Sequence, residues 1–160
     1  LAYSLISLSG RYIQHATAST VQFAGIFFGC TYLNSSLGRV VWANNWPGTT
    51  QGSDAEAYIV SDPQMLFVAQ SNNTAITFAD IGANIQVSIG SPNSTTGYST
   101  SSVDQSTIAT TDTLPFRIVG LLSQYETTSG AINGTDDASA YNRVIVAPNY
   151  WDRKSLLGIV

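Results

Sequence analysis

The sequence predicts an all-β domain, an antiparallel β-sandwich or jelly-roll-like barrel of about eight strands with long Ser/Thr-rich loops. Three observations predict it. The apolar runs are short, about 5 to 8 residues, and rich in β-branched and aromatic side chains. Turn residues separate them. No long segment repeats its apolar positions with the 3.6-residue period of a helix.

The elements follow in order. Residues 1–20, beginning "LAYSLISLSGRYIQ", alternate weakly and have no matching turn, so they read as an N-terminal arm or edge strand. Residues 21–160 read as a single β domain. Strands are expected in "VQFAGIFFGCTY" (21–32), "RVVWANNW" (39–46), "AEAYIV" (55–60) and "QMLFVAQ" (64–70). "NSSLGR" between the first two reads as a hairpin turn, with Gly38 available for positive φ. "SDPQ" places Pro63 in a turn, and Asn72 and Asn73 in "QSNNT" tolerate the left-handed region. "TAITF" (74–78) is a shorter strand candidate, and "FADIGANI" holds one helical turn started by Asp80. Further strands are "NIQVSI" (84–89), "LPFRIVGLLSQY" (114–125) and "NRVIVAPNYW" (142–151). The stretches 90–113 and 126–140 read as long Ser/Thr-rich loops.

Charged residues make up 10% of the chain, against about 25% in ordinary domains. Ser and Thr, 37 together, take their place. The exposed surface is therefore neutral and hydroxylic, with little charge repulsion against association. The net charge of -4 and the absence of a Lys/Arg cluster beyond Arg153-Lys154 argue against nucleic acid. No apolar run approaches the roughly 20 residues of a membrane span. The chain starts at Leu1, as a processed or partial chain would, and "LAYSLISLS" is too polar for a signal sequence. The lone Cys30 excludes an intrachain disulfide.

Candidate sites are sparse. His15 is the only histidine and has no acid near it in sequence. Cys30 with His15 is a formal nucleophile pair, but a thiol among phenylalanines is desolvated and inert. Asp54 and Glu56, two apart on a strand, share a face. Asp136 and Asp137 with Asn133 offer oxygen ligands without the spacing of a calcium loop. Zinc ligand pairs and a phosphate-binding glycine loop are absent, so no cofactor is expected. Four glycosylation sequons start at Asn34, Asn72, Asn93 and Asn133; so much Ser and Thr produces about two by chance, so they carry no argument. Phe23, Phe27, Tyr32, Tyr58 and Phe67 fall on core positions of the period. Trp42 and Trp46, four apart, belong on one face of an extended strand.

The order of landmarks resembles that of decoration (cement) proteins of tailed-bacteriophage heads. The residues that carry it are "GCTY" (29–32), "NNWPG" (44–48), "DAEAYIVSDP" (54–63), "LFVAQ" (66–70) and "DIGANI" (80–85). "STTGYSTSSVD" (94–104), "LPFRIVGL" (114–121) and "VIVAPNYW" (144–151) complete it. The first 20 residues and the Ser/Thr-rich loops depart from the pattern. The resemblance implies a non-enzymatic virion protein, a homotrimer bound to the major capsid protein on the outer surface of the capsid, stabilising the head. Contacts are expected at Tyr3, Leu5, Ile6, Leu8 and Tyr12 of the N-terminal segment and at Trp151, Leu156 and Leu157 of the C-terminal one. The alternative is a carbohydrate-binding or adhesin-like module of a spike or exported protein, with Trp42, Trp46 and Trp151 as stacking faces.

Overall fold

The computed structural model describes residues 5–9, 12–17, 22–91, 93, 96, 98–123 and 136–152. Among them the chain forms β1 (Leu5–Ser9), β2 (Tyr12–His15), β3 (Gly25–Asn34), β4 (Arg39–Ala43) and β5 (Gly52–Val60). β6 (Phe67–Gln70), β7 (Asn84–Ser88), β8 (Ser102–Ala109), β9 (Phe116–Leu121) and β10 (Arg143–Pro148) follow, with one 3-10 turn at Phe78–Asp80. The fold is all-β, with two antiparallel sheets of five strands each.

The first sheet is organised by β3. Ile26 pairs with both Leu5 of β1 and Val60 of β5, and Cys30 with both Ala43 of β4 and Ala57 of β5. β1 and β4 therefore share one edge of β3, one at each end, and β5 runs along the other. β2 lies outside β1.

The second sheet runs β6-β10-β9-β7-β8. Its outer strands meet: Ser71, just past β6, bridges Val103 of β8, and the Asn72 N–H donates to the Val103 carbonyl at 2.9 Å. The sheet thus curls onto itself around a core of Ile85, Val87, Val103, Phe116, Ile118, Val144 and Val146. The two-residue alternation is plain in β9, where Phe116 and Ile118 are buried while Arg117 and Val119 are exposed. Asn142 closes the interior: its Oδ1 accepts from the Ile76 N–H at 3.1 Å, and its Nδ2 donates to the Ile76 carbonyl at 2.8 Å.

The two sheets meet at an aromatic plug. Trp151 stacks on Phe67 at 5.6 Å and meets Phe116 edge-on at 5.5 Å, while Phe23 lies 6.4 Å from Phe116. Phe23 bridges Trp151 in parallel, and the Asp152 N–H donates to the Phe23 carbonyl at 3.0 Å. Leu5, Ala16 and Ile26 reach the same core from the first sheet.

Several sequence expectations need correction. Of the two readings of the N-terminal segment, arm or edge strand, the described residues fit the second: β1 and β2 pair antiparallel within the first sheet, with β2 at its edge, and do not leave the domain as an arm. Leu5 and Ile6 are 1% and 3% exposed and belong to the interior; so does Trp151, at 1%. None of the three is available to a partner, because the chain already buries them. Deleting residues 1–14 would open the core rather than remove an appendage. Leu8 and Tyr12 are exposed, and Tyr3, Leu156 and Leu157 lie outside the described residues. "TAITF" is not a strand, since Ile76 is held by Asn142. Asp80 closes the short turn rather than starting it, its Oδ2 accepting from the Thr77 N–H at 2.8 Å. The stretch 90–113 contains β8.

Phe116→Ala is expected to lower the unfolding free energy by about 3–5 kcal/mol, measured by urea denaturation. Asp152 supplies a second check. Its Oδ2 is buried without a hydrogen-bond partner among the described residues, and burial raises its pKa. A carboxyl whose folded-state pKa is raised favours folding at low pH, and this contribution is lost as pH rises from the unfolded value near 3.9 through the folded one. Asp152→Asn is therefore expected to raise the melting temperature at pH 7 and leave it nearly unchanged at about pH 3.

Candidate functional site

The outer half of the first sheet carries the most concentrated exposed aromatic surface among the described residues. Its geometry starts with a bulge in β3. Phe27 pairs with Ile59 and Gly29 with Tyr58, which leaves Phe28 as the extra residue. In a bulge two residues oppose one, so Phe28 and Gly29 both lie on the side of Tyr58. Trp42 arrives on that side from β4, paired with Thr31. Its indole lies over Gly29, where a Cβ would run into the ring. The Trp42 ring sits 5.2 Å from Tyr58 and 6.2 Å from Phe28. The Trp42 Nε1–H donates to Asn44 Oδ1 at 3.3 Å, which fixes the ring's orientation.

This face is apolar and open to water. Trp42 is 47% exposed, Tyr58 42%, and Val40, two residues before Trp42, 67%. Along β5, Glu56, Tyr58 and Val60 alternate onto one face. Val60 packs against the core, so the face that enters the core at Val60 and Ile26 continues outward as Tyr58 and Trp42.

The opposite face is closed by the chain itself. Tyr32 and Cys30 are buried there. The segment after β4 bends at Asn44-Asn45 and brings Trp46 edge-on to Tyr32 at 5.5 Å. Gly48, with φ 93°, turns the chain back toward Gly52, which lies against the Tyr32 ring. Trp42 and Trp46 thus lie on opposite faces, contrary to their spacing in sequence, because the strand ends at Ala43 before the second tryptophan is reached. Tyr58, expected in the core, is instead part of the open face.

The titratable candidates do not converge. His15 is exposed on β2, paired with Ile6. Cys30 lies four residues further along β3 than β1's pairing at Ile26, about 13 Å at the strand rise. Burial pushes the Cys30 thiol pKa up, which keeps it protonated and unreactive. Asp54 has φ 48° and sits in a second bulge, where Ser53 opposes Leu33 and Glu56 opposes Thr31. That bulge breaks the alternation that would place Asp54 and Glu56 on one face. Asp136 accepts from the Ala138 and Ser139 N–H groups at 3.1 and 2.9 Å, which lowers its pKa and marks a turn. Asn133 lies outside the described residues. Among the described residues no group of three His, Cys, Asp or Glu side chains is placed to hold a metal ion.

A smaller apolar area lies outside the second sheet, where Val68 pairs with Ile145 and Ile145 with Gly120. Leu66, Val68 and Val119 are exposed there.

The three tryptophans should separate in acrylamide quenching of fluorescence. Trp42→Phe and Trp46→Phe are each expected to remove a quenchable component. Trp151→Phe is expected to remove the component that acrylamide does not reach.

No protein-family model matches the chain, and neither does any curated protein or solved structure.

Proposed function

We propose that this protein is a virion structural protein that binds the outside of a tailed-phage capsid shell, decorates it and stabilises the head. The observation that carries the reading is the open face of Trp42, Tyr58 and Val40, which is broad, apolar and nearly uncharged. A face of this kind suits another protein surface better than a small substrate, which needs a concave site. Docking it requires little desolvation of ions, the costly part of burying a charged surface. The ordered landmarks from Gly29 to Trp151 support the same reading.

The mechanism is mass action. A protein that binds only the assembled shell shifts the equilibrium toward assembly. Self-association multiplies modest contacts through effective concentration on the lattice. The reading assigns no bond-making role to any residue. The major capsid protein is its partner and the virion surface its location. Leu8 and Tyr12 remain candidate contacts from the N-terminal hairpin.

A second reading has a specific observation in its favour. Trp42 and Tyr58 lie side by side, and Thr31 opposes both Trp42 and Glu56, so a hydroxyl and a carboxylate share the aromatic row. Aromatic faces with such polar neighbours stack on sugar rings. This carbohydrate-binding alternative has lost Trp151, which is buried, and Trp46, whose ring packs on Tyr32 from the other side.

Sedimentation with and without expanded capsids tests the first reading. Tyr58→Glu and Val40→Glu are each expected to weaken capsid binding about tenfold or more, roughly 1.4 kcal/mol, with an unchanged circular dichroism spectrum. Undiminished binding by both variants, or none by the unaltered protein, would reject it. Quenching of Trp42 fluorescence by added glycans would favour the second.

A further inference from the structure

The strand edges of the two sheets are guarded unequally. The second sheet joins its outer strands through Ser71 and Val103. β5 carries the Asp54 bulge and the exposed Glu56 on its edge, both devices that discourage pairing with another chain. β2 is four residues long, with Gln14 and His15 exposed. β4 has no such protection. Its sequence is Arg39-Val40-Val41-Trp42-Ala43, with an unbroken register to β3 and β3 as its only strand partner among the described residues.

We propose that β4 is a self-association edge. It pairs antiparallel with β4 of a second copy about a twofold axis through Val41. The strand is self-complementary in that register. Val41 faces Val41 of the second copy, Val40 faces Trp42, and Arg39 faces Ala43. Cross-strand pairs of a β-branched and an aromatic residue are favourable, and the arginines do not oppose each other. Pairing through this edge satisfies the outward backbone groups of both strands and makes one sheet of order β5-β3-β4-β4-β3-β5. Because directly opposed residues share a face, both Trp42–Tyr58 clusters emerge on the same side, doubling the open face. Such a contact is isologous and closes at two copies, where the family resemblance implies three. It rests on the edge geometry and stands whether or not the partner is a capsid.

The experiment uses the whole chain. Sedimentation equilibrium is expected to give twice the 17.0 kDa chain mass. In a Cys30→Ala background, Val41→Cys is expected to form an intermolecular disulfide on mild oxidation, since directly opposed residues lie within disulfide reach. Val40→Cys in the same background, opposed by Trp42, is expected to stay largely reduced. A monomeric or trimeric mass would overturn the proposal. So would a dimer in which Val41→Cys does not cross-link, or in which Val40→Cys cross-links equally well. Loss of capsid binding in a protein that remains dimeric would bear on the decoration reading alone.

Discussion

The contact on which the architecture depends is the aromatic plug of Phe23, Phe67, Phe116 and Trp151. Aromatic side chains bury large areas and hold preferred ring geometries. Here four of them do three tasks together. They seal one end of the curled second sheet, join the segment before β3 to the segment after β10, and give the first sheet its anchor. The Phe23–Trp151 bridge connects residues near the two ends of the described chain. Such a contact carries a high loop-closure cost that the plug's burial must offset.

Everything unusual about the first sheet follows from being anchored at one end. Near Leu5, Ile26 and Val60 its inner face is buried in the shared core. Further along β3 that face is open to water at Trp42 and Tyr58. A sheet with two bare faces is marginal in water. One face is rescued locally, by the bend that sets Trp46 edge-on to Tyr32 and brings the Asn45 carbonyl to the Cys30 thiol. The other keeps Trp42 and Tyr58 in contact with each other but open to solvent. A protein that stayed alone would gain from polar residues at these positions, and contiguous exposed apolar patches mark places where something else binds.

Much of the second sheet was legible in the sequence. Phe116 and Ile118, and Val144 and Val146, alternate as the two-residue period demands; in the first sheet, Gly38 adopts φ 61° in its expected turn between β3 and β4. What escaped has physical causes. β8 is built from Ser, Thr, Asp and Gln with Val103 as its one fully buried apolar residue, so hydropathy conceals it. It is held by side-chain bonds instead, such as Asn72 Nδ2 to Asp104 Oδ1 at 2.7 Å. The N-terminal hairpin has too few residues to show a period, and its identity as core depends on β3, which lies beyond it in sequence. At the candidate site, Trp42 was legible as a strand residue. Its separation from Trp46 was not, because that depends on where β4 stops, and the ends of elements are set by tertiary context. The bulge that turns Phe28 toward Tyr58 is equally silent in composition.

Among the described residues the ionisable groups are scattered over the fold rather than gathered. An active site concentrates ionisable groups and shifts their pKa values by burial and proximity. Among the described residues the shifted groups are a buried thiol, a turn carboxylate and a single buried carboxylate, on different parts of the fold. Several of the charges stand instead on the outer strands of the first sheet. Glu56 and the Asp54 bulge guard β5, and Arg39 stands at one end of the unguarded β4, where the proposed register would keep it away from its own copy. An edge left apolar beside a face left apolar exposes two adjacent surfaces to aggregation, a liability folded proteins ordinarily suppress. Retaining both makes physical sense when ordered association covers them.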